Sequence, residues 1–366
     1  MKAADYLNVK NPAVLGFGAM RMPPEDDTMK MVDAYMASGY NYFDTAYIYS
    51  GSEEMLKKTL TTRYPRERFV IANKLPPWKV EKSPEDCESI FKEQLQRTGL
   101  DYFDFYLIHS LFNDTEQATE DKGVFQWAFE KKKEGLLKHV GFSFHGGTAY
   151  LERLLTRHPE VEFVQLQQNY MDNLRGPAHE WLDVTVKHNK PIIVMEPVKG
   201  GSLAALPPAA EKLLKEYAPE RSIASWAMQY AATLQNVTCV LSGMSSLAQI
   251  NDNLKTFKDL QPLSASERKL LDQVMGEISK VASIPCTACK YCHNECPVNI
   301  DIAACFSLYN EVKRGAEDWN AKAVYDTIPE QNRASACIKC DSCLSHCPQK
   351  IDIPTDLGAV TELLKK

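Results

Sequence analysis

The chain has 366 residues, 44% of them apolar, enough to bury one large core and a smaller second one. Its 42 basic and 48 acidic residues leave a net charge of −6 with no block of like sign, so the electrostatic footprint of a nucleic-acid or anionic-membrane binder is missing. The opening MKAADYLNVKNPAV has no apolar signal core, and no run reaches the roughly 18 apolar residues of a membrane helix, so a soluble, cytoplasmic protein is expected.

In chain order, short apolar runs alternate with longer amphipathic ones. Strands are predicted at 13–18, 40–45, 69–74, 103–109, 138–143, 163–167, 191–196 and 238–242. Helices are predicted between them at 27–38, 52–62, 84–98, 121–134, 147–157, 178–189, 221–234 and 246–257. Ser83 reads as an N-cap ahead of Pro84 at the first helical position, and Gly39, Gly99 and Gly135 sit where helices would stop. Eight strand–helix units over about 245 residues are the pattern of an α/β fold of the (β/α)8 TIM-barrel class. A doubly wound sheet is the rival, but no G-x-G-x-x-G follows the first strand. The expected division is a barrel over 1–260, a connecting helix over 261–281 with Ser264 and Glu267 in capping-box register, and a small, mainly helical domain over 282–366.

Cysteines mark that last domain. Cys87, Cys239 and Cys305 are scattered and read as small buried hydrophobes, while the other eight form two Cys-x2-Cys-x2-Cys-x3-Cys-Pro frames. The frames are Cys286, Cys289, Cys292, Cys296 and Cys337, Cys340, Cys343, Cys347, every member offset by 51 residues. Ile300-Asp301-Ile302 recurs as Ile351-Asp352-Ile353 at the same offset, so the segment is an internal duplication. In a reducing cytosol disulfides are not expected. Three thiolates on one tight loop can hold three corners of an iron–sulfur cube, and in two-cluster ferredoxins the fourth cysteine, ahead of a proline, serves the other cluster. That pattern assigns one [4Fe–4S] cluster to Cys286, Cys289, Cys292 and Cys347, and a second to Cys337, Cys340, Cys343 and Cys296. Structural zinc is the alternative, although it explains neither the third cysteine nor the proline. The spacer between the frames has Ile302, Cys305, Phe306 and Tyr309 at helical spacing. With the repeated CPxxIDI ending, this tail resembles the α-helical ferredoxin modules of fumarate reductase iron–sulfur subunits.

Chemistry in a TIM barrel belongs at the C-terminal strand ends. There the predicted strands place Asp44, Lys74 and His109, with Tyr49 in the loop after the second. Such a set suits carbonyl reduction. A phenol of ordinary pKa about 10 can deliver a proton if a neighbouring ammonium favours its phenolate, a carboxylate holds that ammonium charged, and a histidine orients the carbonyl oxygen.

At these residues the sequence resembles the aldo-keto reductase family, in its iron–sulfur-fused members. The matching motifs are LGFGAMR (15–21), FDTAYIYSGSEE (43–54), ANKLP (72–76), DYFDFYLIHSL (101–111), HVGFSFHG (139–146), VQLQQNYMD (164–172) and LSGMSSLAQINDNL (241–254), in family order. The resemblance implies Tyr49 as general acid, Lys74 and Asp44 as its pKa-lowering pair and His109 as substrate orienter. It implies NAD(H) or NADP(H) bound across the barrel mouth, with cofactor contacts at Gly18, Met20, Ser143, Gln165, Met195, Gly243, Gln249 and Asn253.

Some of those positions depart from the NADPH-using pattern. Phe144 replaces an asparagine, Met195 an aromatic, and Gly243 and Gln249 stand where a lysine and an arginine would hold the 2′-phosphate, while Asn253 is retained. Without paired cations, discrimination in favour of NADPH should be largely lost. One-electron clusters and two-electron hydride chemistry do not couple directly, so a flavin is not excluded. The expected function is a barrel oxidoreductase reducing a carbonyl-like small molecule, its clusters exchanging electrons with a ferredoxin or flavoprotein. The alternative is an electron-transfer or redox-sensing protein whose barrel has lost nicotinamide chemistry. Substrate specificity is expected from the loop 110–120 and the tract 200–219.

Overall fold

The computed structural model describes residues 1–8, 13–175, 178–281, 283–314 and 318–364. Eight parallel strands close into a barrel in sequence order, β1 (Val14–Gly18), β2 (Tyr42–Asp44), β3 (Val70–Leu75), β4 (Phe103–Leu111), β5 (Leu137–Phe144), β6 (Phe163–Gln167), β7 (Ile192–Met195) and β8 (Val237–Ser242). Closure is made by β8 pairing with β1, in the register Val14↔Cys239 to Phe17↔Ser242. The doubly wound alternative is thereby set aside. These strands are near-continuous apolar runs because both faces are covered: β4 is buried over its whole length.

The lower barrel is packed solid. Tyr6, from the N-terminal turn Ala3–Tyr6, joins Tyr42, Phe105, Phe163, Ile193 and Cys239 in one buried cluster. The Tyr6–Tyr42 and Phe105–Phe163 ring centroids are each 5.0 Å apart. Tyr6 donates its hydroxyl to Asn41 Oδ1 at 2.7 Å, whereas the buried Tyr42 hydroxyl has no hydrogen-bond partner among the described residues. A filled interior leaves the C-terminal strand ends as the place for a site. Cys87, Cys239 and Cys305 are fully buried, as expected of small hydrophobes.

Where β5 begins and β6 is about to start, Glu162 accepts from His139 Nδ1 at 2.9 Å and Val140 N at 3.1 Å, and pairs with Lys132. Burial works against its charge, but these partners overcome it and hold the carboxyl at about 2. A carboxyl depressed on folding stabilises above its unfolded pKa, and that contribution is lost as pH falls from about 4.5 through about 2. Glu162→Gln should therefore cost about 2 kcal/mol at pH 7, discounted for partial exposure. The gap to wild type should narrow below about pH 4.5, as read by denaturant melts followed by tryptophan fluorescence.

Helix ends carry the local differences from expectation. The predicted 121–134 helix is two, Glu116–Asp121 and Val124–Lys133, divided at Gly123 in the left-handed region. The 52–62 helix is α-helical over Ser52–Leu56 and then widens into a π turn over Lys57–Thr61. Ser83 does not cap its helix: Pro84 occupies the N-cap of Glu85–Thr98, and the carboxylate of Asp86 instead accepts from Glu81 N and Lys82 N. Gly39, Gly99 and Gly135 take positive φ just past helix ends. Two helices were not anticipated, Tyr170–Arg175 and Pro208–Tyr217.

The chain folds as two compact units, Met1–Pro197 with Ser225–Leu263, and Val198–Ala224 with Ser264–Lys366. This differs from the sequence division at two points. The helix Ala265–Ile278, capped as expected by the Ser264–Glu267 box, belongs to the second unit, and so does the tract 198–224. Arg221 Nη1 meets Glu267 Oε1 at 3.0 Å within that unit, and Pro208–Tyr217 packs along Ala265–Ile278.

The duplication is visible in the backbone. Helices Ile302–Lys313 and Ile353–Leu364 occupy equivalent positions, and Asp301 and Asp352 accept from Ala304 N and Thr355 N at their starts. Ala288, Lys290 and Asn299 have positive φ, and so do Lys339, Asp341 and Lys350, each 51 residues on. The spacer is helical, as expected, with a further helix at Asp318–Thr327. Among the described residues no helix is long and apolar enough to cross a membrane.

Candidate active site and thiol-lined cavities

The barrel brings the four predicted polar side chains together. Asp44 ends β2, Lys74 lies one residue from the end of β3, and His109 lies two from the end of β4. Tyr49 follows β2 in a turn closed by Tyr49 N to Ala46 O at 2.9 Å. Lys74 Nζ donates to Asp44 Oδ1 at 2.6 Å and to the Thr45 carbonyl at 2.7 Å. The same Nζ stands 4.9 Å from the centroid of the Tyr49 ring, and that ring meets His109 edge-on at 5.8 Å. Tyr49 is partly exposed while its three partners are buried, so the phenol faces the open side of the group.

Burial pushes the Lys74 ammonium below the ordinary lysine range, with Asp44 working back against it. Burial likewise raises Asp44, opposed by Lys74. Burial first, then the charges of Lys74 and His145, hold His109 well below the usual histidine value. Its imidazole is neutral near pH 7 and can donate one hydrogen bond.

Sequence reasoning missed the frame behind this group. Asn73 Oδ1 accepts from Lys74 N at 2.8 Å and from Gln94 Nε2 at 2.9 Å, while its own Nδ2 donates to buried Glu53 at 2.7 Å. Gln94 Nε2 also reaches the Lys74 carbonyl at 2.9 Å, so β3 is braced on both sides of the lysine. Trp78, 39% exposed, sets its ring 5.6 Å from His109 as an aromatic wall. A buried Asn, Gln or Glu inside an apolar run was the available signal.

The residues expected to hold a nicotinamide lie on neighbouring strand ends. Ser143 on β5 accepts from Ser110 N at 2.8 Å, which leaves its hydroxyl proton available to donate. Ser110 holds φ +50° where the β4–β5 register shifts, directly after His109. Gln165 on β6 donates Nε2 to the Met195 sulfur at 3.7 Å, while its buried Oε1 has no hydrogen-bond partner among the described residues. A hydroxyl proton and an unmet amide oxygen complement the acceptor and donor of a carboxamide, so the donor set fits the group.

The other positions are occupied differently. Phe144 is fully buried against Tyr150 and Trp181. Gln249 accepts from Ser245 N at 2.7 Å at the start of Leu247–Lys258, and Asn253 Nδ2 donates to Ser242 Oγ at 2.9 Å. Gly18 ends β1 beside the Ser242–Gly243 backbone, Gly243 is exposed, and Met20 sits in the turn Ala19–Arg21.

In the second unit the eight cysteines line two cavities. Cys286, Cys289, Cys292 and Cys347 surround the first, and Cys337, Cys340, Cys343 and Cys296 the second. Each cavity thus takes three thiols from one frame and one from the other. The repeated positive-φ residues fall inside the cysteine loops and at the turns after the fourth cysteines. Ala288 N donates to Cys286 Sγ and Ile300 N to Cys296 Sγ, each at 3.4 Å, the pairing that iron–sulfur ligands use. Burial, then the neighbouring Cys337, Cys296 and Cys340, push the Cys343 thiol up to about 11. Among the described residues no three His, Cys, Asp or Glu side chains converge closely enough for a single metal ion.

Residues 14–275 match the aldo/keto reductase family model. The chain belongs to that family. Residues 285–351 match the model of a 4Fe-4S dicluster domain, so this aldo/keto reductase carries an iron–sulfur domain at its C-terminal side. Among relatives, an uncharacterized oxidoreductase of Bacillus subtilis is 24% identical over 276 residues, covering 66% of this chain and 86% of its own. A 9,11-endoperoxide prostaglandin H2 reductase of Trypanosoma cruzi is 26% identical, covering 74% and 90%. The holo form of an aldo-keto reductase from Bacillus halodurans superposes with a TM-score of 0.59 at 24% identity, over 71% of this chain and 91% of that one. At that identity the likeness establishes the shared barrel fold.

Proposed function

We propose that this aldo/keto reductase reduces a carbonyl-like small molecule at Tyr49 and exchanges electrons through two [4Fe–4S] clusters with a ferredoxin or flavoprotein. The observation that carries the first part is the convergence of Tyr49, Lys74, Asp44 and His109 at consecutive strand ends. A bound reduced nicotinamide would supply both electrons of the carbonyl reduction as hydride, and the clusters would pass single electrons to and from the protein partner, apart from that step. Tyr49 donates its hydroxyl proton to the carbonyl oxygen, completing the alcohol and leaving a phenolate. Lys74 stabilises that phenolate across the ring contact, Asp44 holds the lysine in place, and neutral His109 donates to the carbonyl oxygen to orient it. Ser143 and Gln165 would grip the carboxamide. The four cysteines around each cavity would ligate one cluster.

The alternative, a redox protein whose barrel has lost its chemistry, draws on Phe144, Gln249 and Asn253, which are committed to intramolecular contacts. The unmet Gln165 oxygen and the intact four-residue group favour the enzyme. Anaerobic assay of cluster-replete protein with reduced nicotinamide and a panel of aldehydes and ketones tests the choice. Alcohol formation supports the enzyme, and its absence across the panel with both nucleotides supports the alternative.

Cofactor preference provides a separate check. Gly243 and Gln249 offer no paired cations to a 2′-phosphate, so the dissociation constants of NADPH and NADH should lie within about tenfold of each other. Sub-micromolar NADPH with NADH at least about tenfold weaker would refute this reading.

A further inference from the structure

The two cysteine loops of the second unit come from one repeated frame, yet one is covered and the other bare. Thr287, the residue after Cys286, is 2% exposed, whereas Ile338, its counterpart after Cys337, is 62% exposed. No large hydrophobic side chain among the described residues is more exposed than Ile338. Lys339, Cys340, Asp341 and Ser342 are exposed as well, and Cys340 is the one exposed thiol of the eight. The first loop is covered by the segment after Pro197. Gly200 takes φ +64° there, and a Cβ on it would lie 2.5 Å from Thr287 Cα and 2.6 Å from the Thr287 carbonyl oxygen. Lys199 Nζ donates to Gln349 Oε1 at 3.1 Å and Arg314 Nη2 to Ser202 Oγ at 3.4 Å, which fix the segment in place. That segment is encoded outside the duplication, so the repeat carries no second copy of it.

We propose that the bare loop 338–342 is the port where a ferredoxin docks on Ile338 and exchanges single electrons with a cluster in the second cavity. The inference rests on the reading that both cavities hold [4Fe–4S] clusters and that the protein trades electrons with a partner. Transfer between proteins falls off steeply with distance, so the ligand nearest the surface sets the point of entry. Cys340 lines the second cavity and reaches solvent. An exposed isoleucine beside Lys339, Asp341 and Ser342 gives a small apolar centre with a polar rim, the make-up of a docking patch. Its size suits the small interfaces of transient electron-transfer encounters. A ferredoxin holds its cluster in a similar short cysteine loop, whereas the flavin of a flavodoxin-like protein sits in a crevice at the ends of sheet strands, further from Cys340 on docking. In the inward step the ferredoxin cluster loses one electron and the second-cavity cluster gains it, with no bond broken and no proton moved. Ile302 lines both cavities, so the electron then has a short way to the first cluster.

The test uses the full-length, reconstituted protein under anaerobic conditions. Iron and sulfide are assayed first, because material without two clusters contradicts the cluster reading rather than the port. Reduction is then timed with two donors: dithionite, which is too small to need a docking patch, and a reduced [2Fe–2S] ferredoxin of lower potential than the clusters. Rapid-freeze electron paramagnetic resonance follows the ferredoxin signal, which is distinct from those of the acceptor clusters. Ile338→Gln, which adds no charge beside the cluster, should lower the ferredoxin rate constant, normalised to the dithionite one, by about tenfold. Ile338→Leu should keep the wild-type ratio, and so should Val324→Gln, a change at another exposed apolar residue of the same unit. The proposal fails if Ile338→Gln keeps that ratio, if Val324→Gln lowers it equally, or if dithionite reduces the wild type and the ferredoxin does not. A flavodoxin hydroquinone that outpaces the ferredoxin and suffers the same loss in Ile338→Gln would overturn the choice of partner.

Discussion

Tyr49→Phe is expected to lower kcat for carbonyl reduction by about a hundred- to ten-thousand-fold, the usual contribution of a positioned general acid. The ring and its contacts with Lys74 and His109 remain in the variant, so KM should change little and the visible absorption of the clusters should persist. The hydroxyl is the only group removed. Lys74→Met would damage the same proton transfer, but less cleanly: it strips the buried Asp44 of its partner, a change that typically costs about 3–5 kcal/mol. Retained turnover in Tyr49→Phe, measured by product alcohol, would reassign the proton donor and with it the role of Lys74.

The second large effect concerns the crossed cysteine sets. Cys347 sits in the second frame but lines the first cavity with Cys286, Cys289 and Cys292. Cys347→Ala should therefore leave the same residual resonance signal and midpoint as Cys289→Ala. Cys296→Ala should match Cys340→Ala. Iron content should fall by about half in each case. If each frame held its own cluster, Cys347→Ala would pair with Cys340→Ala instead. Removing both clusters with a chelator should unfold the second unit, because its buried core includes Cys292, Cys343 and Cys347, the proposed ligands, and metal binding would then be part of its folding free energy.

Much of this was legible in the sequence because the signals were local. Strand β4 reads as a strand from FDFYLIH alone, since a fully buried parallel strand needs only an unbroken apolar run. Asp44, Lys74 and His109 followed from knowing where strands end. The cysteine frames announce themselves by spacing, and the structure repeats that spacing in its positive-φ residues. What stayed hidden depends on tertiary partners. Nothing near Lys199 in the chain points to Gln349, 150 residues away. Ser83 looked like a cap because it precedes a proline, but the helix starts at Glu85, one residue later than that reading needs, and the Asp86 N–H is met by the Lys82 carbonyl. Asn73 and Gln94 looked like ordinary polar interruptions, and only their mutual contact reveals a brace for Lys74.

The tract Val198–Ala224 is encoded inside the barrel, between β7 and β8, yet it is a working part of the other unit. Gene surgery must respect that. An excision at residue 282 would strand Gly200 and Lys199 without the loop they steady, and the excised piece would lose both of them. The iron–sulfur half is thus no cassette detachable at a single cut, because the crossover between β7 and β8 belongs with it.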